Sequence, residues 1–137
     1  MSRQILVDTG PIVSLIKKND RHHRSCVETA KGLQFGLVTC WAVVTEAAWL
    51  LRDHPGYIRR LYHQFEDGTF RLSPIDRSAF AWIQQFSSQY SNVSPQIADA
   101  CLAYLAERDG YKTVFTLDRR DFGIFRLKGN RSLTIIP

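Results

Sequence analysis

The 137-residue chain has little cysteine, no long apolar run and no glycine-rich phosphate loop, and each shortage narrows what it can be. Its three cysteines are odd in number, and Cys40 and Cys101 sit in apolar surroundings. They read as buried, reduced thiols of a cytoplasmic protein and not as a disulfide framework. No apolar stretch approaches the roughly 20 residues of a membrane helix, so no membrane partner is expected. The opening Met1-Ser2-Arg3-Gln4-Ile5 carries no signal-peptide apolar core. The dinucleotide-binding glycine fingerprint and the P-loop are both missing, as is the serine nucleophile elbow. His22, His23 and Cys26 cluster, but no second pair follows at zinc-site spacing, so they read as a solvated loop. Repeats, low-complexity stretches and linkers are absent, and the length suits one domain spanning residues 1–137.

What is present resembles an ordinary globular composition, 45% hydrophobic and 23% charged. Short apolar runs at 4–7, 35–39, 70–72, 113–117 and 133–136 read as strands. Between them lie helical patterns: one opening at Gly10-Pro11, one over Ser25–Lys31, one carrying Glu46, and an amphipathic one over 57–67. Asp76 is placed to cap a helix running to about Tyr90, and Ser94-Pro95 read as N-cap and first residue of the helix carrying Asp99. Trp41, Trp49 and Trp82 fall in apolar helical patterns and are expected in the core. Strands alternating with helices predict an α/β fold, a mostly parallel sheet of about four to five strands flanked by helices.

Four acidic residues stand where a folded chain normally excludes charge. Asp8 ends Ile5-Leu6-Val7 and Asp118 ends Thr113-Val114-Phe115-Thr116-Leu117, while Glu46 and Asp99 interrupt helices that are otherwise nearly all apolar. A buried carboxylate is costly unless paired or metal-bound. Strand-end acids share the crevice at the carboxyl edge of a parallel sheet. Simpler readings exist for each: Asp8 as a helix cap, Asp99 on its helix dipole, Asp118 as the start of a turn. Glu46, in mid-helix, has the least attractive one. All four together point to one site for Mg²⁺ or Mn²⁺, since carboxylates and water select hard divalent cations. Asp121 is a candidate fifth acid, in contact directly or through water, and Thr116 is placed to hydrogen-bond a carboxylate.

Such a site suits phosphodiester hydrolysis by a metal-activated water, with no side-chain nucleophile required. With five acids gathered there, the rest of the chain sets eight acids against 18 bases, about +10, a surface that attracts a polyanion. Arg119, Arg120, Arg126, Lys128 and Arg131 form one candidate nucleic-acid-binding cluster, and Lys17, Lys18, Arg21 and Arg24 another.

The segments Ile5-Leu6-Val7-Asp8-Thr9-Gly10-Pro11, Thr39 to Ala47 around Glu46, Ile97-Ala98-Asp99-Ala100 and Thr116-Leu117-Asp118-Arg119-Arg120-Asp121-Phe122 together resemble the PIN domain, in particular VapC-type toxins of toxin–antitoxin pairs. The resemblance covers essentially the whole chain. It implies a central parallel sheet and an Mg²⁺- or Mn²⁺-dependent endoribonuclease acting on tRNA, rRNA or mRNA. By position, Asp8, Glu46, Asp99 and Asp118 match the family's acidic quartet, Asp121 its additional acid and Thr116 its hydroxyl residue. It further implies a homodimer inhibited by a small cognate antitoxin. The chain departs from many relatives in carrying Asn92 where they place another Asp, which weakens the case for a second metal. Two other readings remain open: a non-catalytic RNA- or protein-binding scaffold, and an Asp-based phosphoacceptor or phosphatase. A phosphatase of the haloacid-dehalogenase type expects an Asp where this chain has Gly10, and neither phosphoryl reading explains Glu46.

Overall fold

The computed structural model describes residues 4–34 and 36–137; residues 1–3, and Phe35 at the expected start of the second strand, lie outside the described residues. The elements follow as β1 (Ile5–Val7), α1 (Thr9–Ile16), α2 (His23–Lys31), β2 (Leu37–Thr39), α3 (Trp41–Leu50), α4 (Pro55–Glu66), β3 (Phe70–Leu72), α5 (Phe80–Gln89), α6 (Ile97–Asp109), β4 (Thr113–Phe115), α7 (Arg119–Ile124) and β5 (Thr134–Ile136). The five strands form one sheet in the order β3-β2-β1-β4-β5. Every pairing is parallel. A parallel strand covered by helices on both faces must be apolar throughout. Accordingly β1 and β2 are buried at all three positions.

The chain moves outward from β1 through β2 to β3, then returns to the other side of β1 as β4. That reversal puts the topological switch point between β1 and β4, where open α/β sheets form their binding crevice. Helix α6 crosses behind it, with Ala98, Ala100, Cys101, Leu102, Ala103, Leu105 and Ala106 all buried. It ends at Gly110, whose φ of 78° gives the left-handed turn that closes a helix without a Cβ clash. All three cysteines are free and buried, as their surroundings suggested. Among the described residues no helix is long and apolar enough to cross a membrane.

Local details differ from the sequence reading in four places. Helix α6 is capped by Gln96, not Ser94. Ser94 has a φ of 54° and sits in a turn whose Val93 and Ser94 N–H groups both bond to the Tyr90 carbonyl. Asp76 caps a single 3-10 turn over Arg77–Ala79 that leads into α5. The six-residue α7 was not expected; it forms because Phe125 buries itself between Phe86 and Tyr90, at centroid distances of 4.9 and 5.2 Å, and the buried Phe122 packs on Phe125 at 5.4 Å. Trp41 and Trp49, expected in the core, are 67% and 62% exposed, whereas Trp82 does pack, stacked on Phe86.

Candidate metal centre

Five acids converge on one cleft of about 550 Å³ at the switch point: Asp8, Glu46, Asp99, Asp118 and Asp121 all line it. Three of them, Asp8, Asp99 and Asp118, are held by backbone N–H groups at helix starts. Asp8 leaves the end of β1 and caps α1, its Oδ1 accepting from the Thr9 N–H at 2.8 Å. Its other oxygen accepts from the Thr116 hydroxyl, also at 2.8 Å. That hydroxyl in turn accepts from the Asp118 N–H at 3.0 Å, so Thr116 ties the ends of β1 and β4 together. Asp118 caps α7, its Oδ1 accepting from the Asp121 N–H at 3.1 Å. Asp99 stands in the first turn of α6, where its Oδ2 accepts from the Gln96 N–H at 3.1 Å. Glu46 comes from the middle of α3.

Capping and cleft-facing are therefore compatible. A carboxylate has about four acceptor sites, and one bond to a helix N–H leaves most of them free. Helix N-termini also carry partial positive charge, which favours anions there.

The electrostatics record crowding of like charges. Burial pushes the Asp8 carboxyl up from its ordinary value, against the opposing hydrogen bonds from Thr116 and Thr9; the Glu46 and Asp118 charges push the same way. Asp99 is raised to about 7, first by burial and then by the Asp8 charge, with Asp118 and Glu46 adding to it. Asp121 is raised by burial and by its neighbour Asp118. Perturbed carboxylates gathered in a cleft mark a functional site more often than a structural one.

The donor set fits a hard divalent cation. Every acidic side chain in the cleft offers only oxygen, which suits Mg²⁺ or Mn²⁺ over softer metals. The Thr9 hydroxyl, also in the cleft lining, is a buried oxygen with no hydrogen-bond partner. A positive ion among the acids would relieve their mutual repulsion. Among the described residues no three acidic, His or Cys side chains stand as a ready-closed ligand set, so an ion bound there would have to draw the acids together.

Other candidates are placed elsewhere. Asn92 is exposed and does not line the cleft; Ser94 and Gln96 of the same loop do. Thr9, Gly10, Leu50 and Leu117 also line it, and none was anticipated from sequence. A Cβ at Gly10 would come within 3.3 Å of the Leu117 side chain, which explains a glycine directly after the Asp8-Thr9 corner. Arg119 donates to the Pro137 carbonyl, and Arg131 to the carbonyls of Ala106 and Tyr111 beside the end of α6. Arg126 donates to Gly123 and Phe125 carbonyls. These three guanidiniums hold the carboxy-terminal segment together. Arg120, Arg21 and Arg24 are exposed, and Arg21 reaches only the His22 ring. Lys17 is half-buried in a small cavity next to the cleft, with Leu50 common to both.

Known proteins share this frame. Ribonuclease VapC26 of Mycobacterium tuberculosis is 25% identical over 135 residues, covering 97% of this chain and 100% of that protein. Two solved structures superpose at low identity and speak for the fold alone. VapC20 of Mycobacterium tuberculosis, described as a Sarcin-Ricin loop cleaving toxin, has a TM-score of 0.77 at 14% identity, covering 85% of this chain and 91% of that one. VapBC2 of Rickettsia felis, bound to a DNA fragment from its promoter, has a TM-score of 0.64 at 12% identity, covering 98% and 99%. The sequence model of the PIN domain matches residues 5–126, and the chain belongs to that family.

Proposed function

We propose that the protein is a metal-dependent endoribonuclease, the toxin of a VapBC-type toxin–antitoxin pair, working in the cytoplasm with Mg²⁺ or Mn²⁺. The observation that carries this reading is the convergence of Asp8, Glu46, Asp99 and Asp118 on one cleft, three of them already held by helix N–H groups. Similarity to a ribonuclease over 97% of the chain supports RNA as the substrate.

Asp8, Glu46, Asp99 and Asp118 would hold the ion, with Asp121 in contact directly or through water. When bound, it supplies positive charge for the phosphate and lowers the pKa of a water to make the nucleophile. The protein's own part is positional. Thr116 fixes the Asp8 carboxylate and, through the Asp118 N–H, the start of α7. The N–H groups of Thr9, Gln96 and Asp121 keep one oxygen of each of three acids occupied, so the carboxylates meet a substrate in preset orientations. Exposed Arg120 lies in the first turn of α7, two residues after Asp118, and is available to the strand's phosphates.

Homodimerisation and inhibition by a small antitoxin belong to the same proposal. They are tested by light scattering of the purified chain and by identifying any small protein that co-purifies with it and suppresses its RNA cleavage. The activity test is cleavage of structured RNA, tRNA included, by protein freed of any partner, in Mg²⁺ or Mn²⁺ and in EDTA. Cut sites that need the metal and disappear in Asp8→Asn support the nuclease. Equal cutting by both proteins refutes it, and intact RNA with no Mn²⁺ binding leaves the scaffold reading in its place.

A further inference from the structure

Resting on the ribonuclease reading, we propose that Trp49, with Arg52 stacked against it, is a platform for an unpaired nucleobase of the RNA strand where it leaves the acidic cleft. Helix α3 brings Glu46 to the cleft, and Trp49 and Leu50 follow at i+3 and i+4, one turn further along the same side. Leu50 lines the cleft and also the adjoining cavity of about 160 Å³ that holds Lys17, His54 and Tyr57. The strand therefore has a continuous way out past the end of α3.

Trp49 lines neither cavity but directly precedes Leu50, and at 62% exposed it is a large aromatic left in water next to that exit. The Arg52 guanidinium carbon lies 3.7 Å from its ring centroid, and Arg52 also donates to the Trp49 carbonyl at 2.7 Å. Backbone and ring thus hold the cation in place. Among the described residues Arg52 has no carboxylate partner, so its charge is free for a phosphate. The pair answers a need the cleft creates. Five acids repel a polyanion, and affinity for RNA must come from beside them. Base stacking does not depend on charge and tolerates any base, while a stacked arginine adds both a cation–π contact and a phosphate ligand. An unpaired base offers the open face such a platform needs, and a paired one does not.

Trp41 supplies an internal control. It is equally exposed but lies eight residues earlier on or near the start of α3, about 12 Å along the axis, over a separate groove with Tyr62 and Phe65. The test uses the full chain carrying Asp8→Asn to prevent cutting, with binding of a labelled single-stranded oligoribonucleotide and of a paired duplex read by fluorescence anisotropy. Trp49→Ala is expected to weaken single-strand binding at least tenfold, and Trp49→Phe to restore most of it. Arg52→Gln should lower affinity and flatten its salt dependence, while Trp41→Ala stays within twofold of the parent. Duplex binding should change far less. Unchanged single-strand affinity in Trp49→Ala overturns the proposal. So does a switch from dimer to monomer in that variant by light scattering, which would make Trp49 part of a contact between copies.

The outcomes separate this inference from the nuclease reading. Metal-dependent cutting by the Asp8-intact chain with no role for Trp49 removes only the platform. Trp49-dependent binding without cutting removes only the nuclease. No RNA binding by the parent removes both.

Discussion

Replacing Asp99 by Asn should stabilise the metal-free protein, by an amount that grows from about pH 4 and is complete above about pH 7. In the folded chain Asp99 is raised from 3.8 to about 7 by burial and by the charge of Asp8. A carboxyl with a raised folded pKa favours folding while it is protonated in both states, below about pH 4. As pH climbs towards 7 the unfolded chain ionises first, and stability is lost; above about 7 the loss is complete. The gap between 3.8 and about 7 corresponds to roughly 4 kcal/mol at about 1.4 kcal/mol per pH unit. Asp99 is half-buried and faces an open cleft, so water screens much of that, leaving an expected ~1–2 kcal/mol. Asn cannot ionise, yet its side-chain oxygen can still accept from the Gln96 N–H, so the start of α6 is kept. In EDTA at pH 8 the variant should therefore melt some 3–7 °C above wild type, and at pH 4 the two should coincide. Millimolar Mn²⁺ should erase or invert the difference by binding the wild-type site. Thermal or urea unfolding at the two pH values, with and without Mn²⁺, measures all of this. A variant less stable than wild type at pH 8 in EDTA would refute the electrostatic argument and reduce Asp99 to a helix cap.

Three further predictions use other parts of the molecule. Thr116→Val removes the hydroxyl that donates to Asp8 and accepts from the Asp118 N–H, and should cost about 1–2 kcal/mol in urea unfolding. The loss should be larger at pH 8 than at pH 5, because Asp8, already raised, loses a contact that favours its charged form. Asn92→Asp should leave Mn²⁺ affinity within twofold by calorimetry, since residue 92 is exposed outside the cleft, whereas Ser94→Asp adds a carboxylate at its lining and should tighten binding several-fold. Phe125→Ala removes the ring that joins Phe86, Tyr90 and Phe122, and should cost ~3–5 kcal/mol in denaturant melts while loosening α7 and the two acids on it.

The fold was legible because its signals are local and strong. Ile5-Leu6-Val7 and Thr113-Val114-Phe115 are apolar, largely β-branched or aromatic, and ended by an acid or hydroxyl residue, which describes the inner strands of a parallel sheet. The misread elements depend on partners far away in sequence. Helix α7 has too few residues to show a period, and exists because Phe125, with Phe122 packed on it, finds Phe86 and Tyr90 some 35 to 39 residues earlier. Ser94-Pro95 carries a good capping signature, but the left-handed backbone at Ser94 moves the start of α6 to Ile97. Trp41 and Trp49 sit in an apolar sequence on a helix whose buried face is only Val43, Val44 and Ala47. Nothing in their spacing distinguishes a ring turned inward from one turned to solvent when almost every neighbour is apolar.

The acids teach a different lesson. Read one at a time, Asp8, Asp99 and Asp118 each admit a local role that competes with a metal-binding one: a helix cap, a partner of the helix dipole and the start of a turn. The structure removes the competition, since Asp8 and Asp118 cap their helices and Asp99 reaches back to the Gln96 N–H while all three line the cleft. A cap engages one lone-pair direction and points the rest of the carboxylate away from the helix end. Where three helices start around one crevice, their caps are driven to meet there. The parallel sheet supplies that geometry for Asp8 and Asp118, because each strand end is also the start of the next helix. Glu46 is the acid with no such local role, and so the one whose position in an apolar helix is left for the site itself to explain.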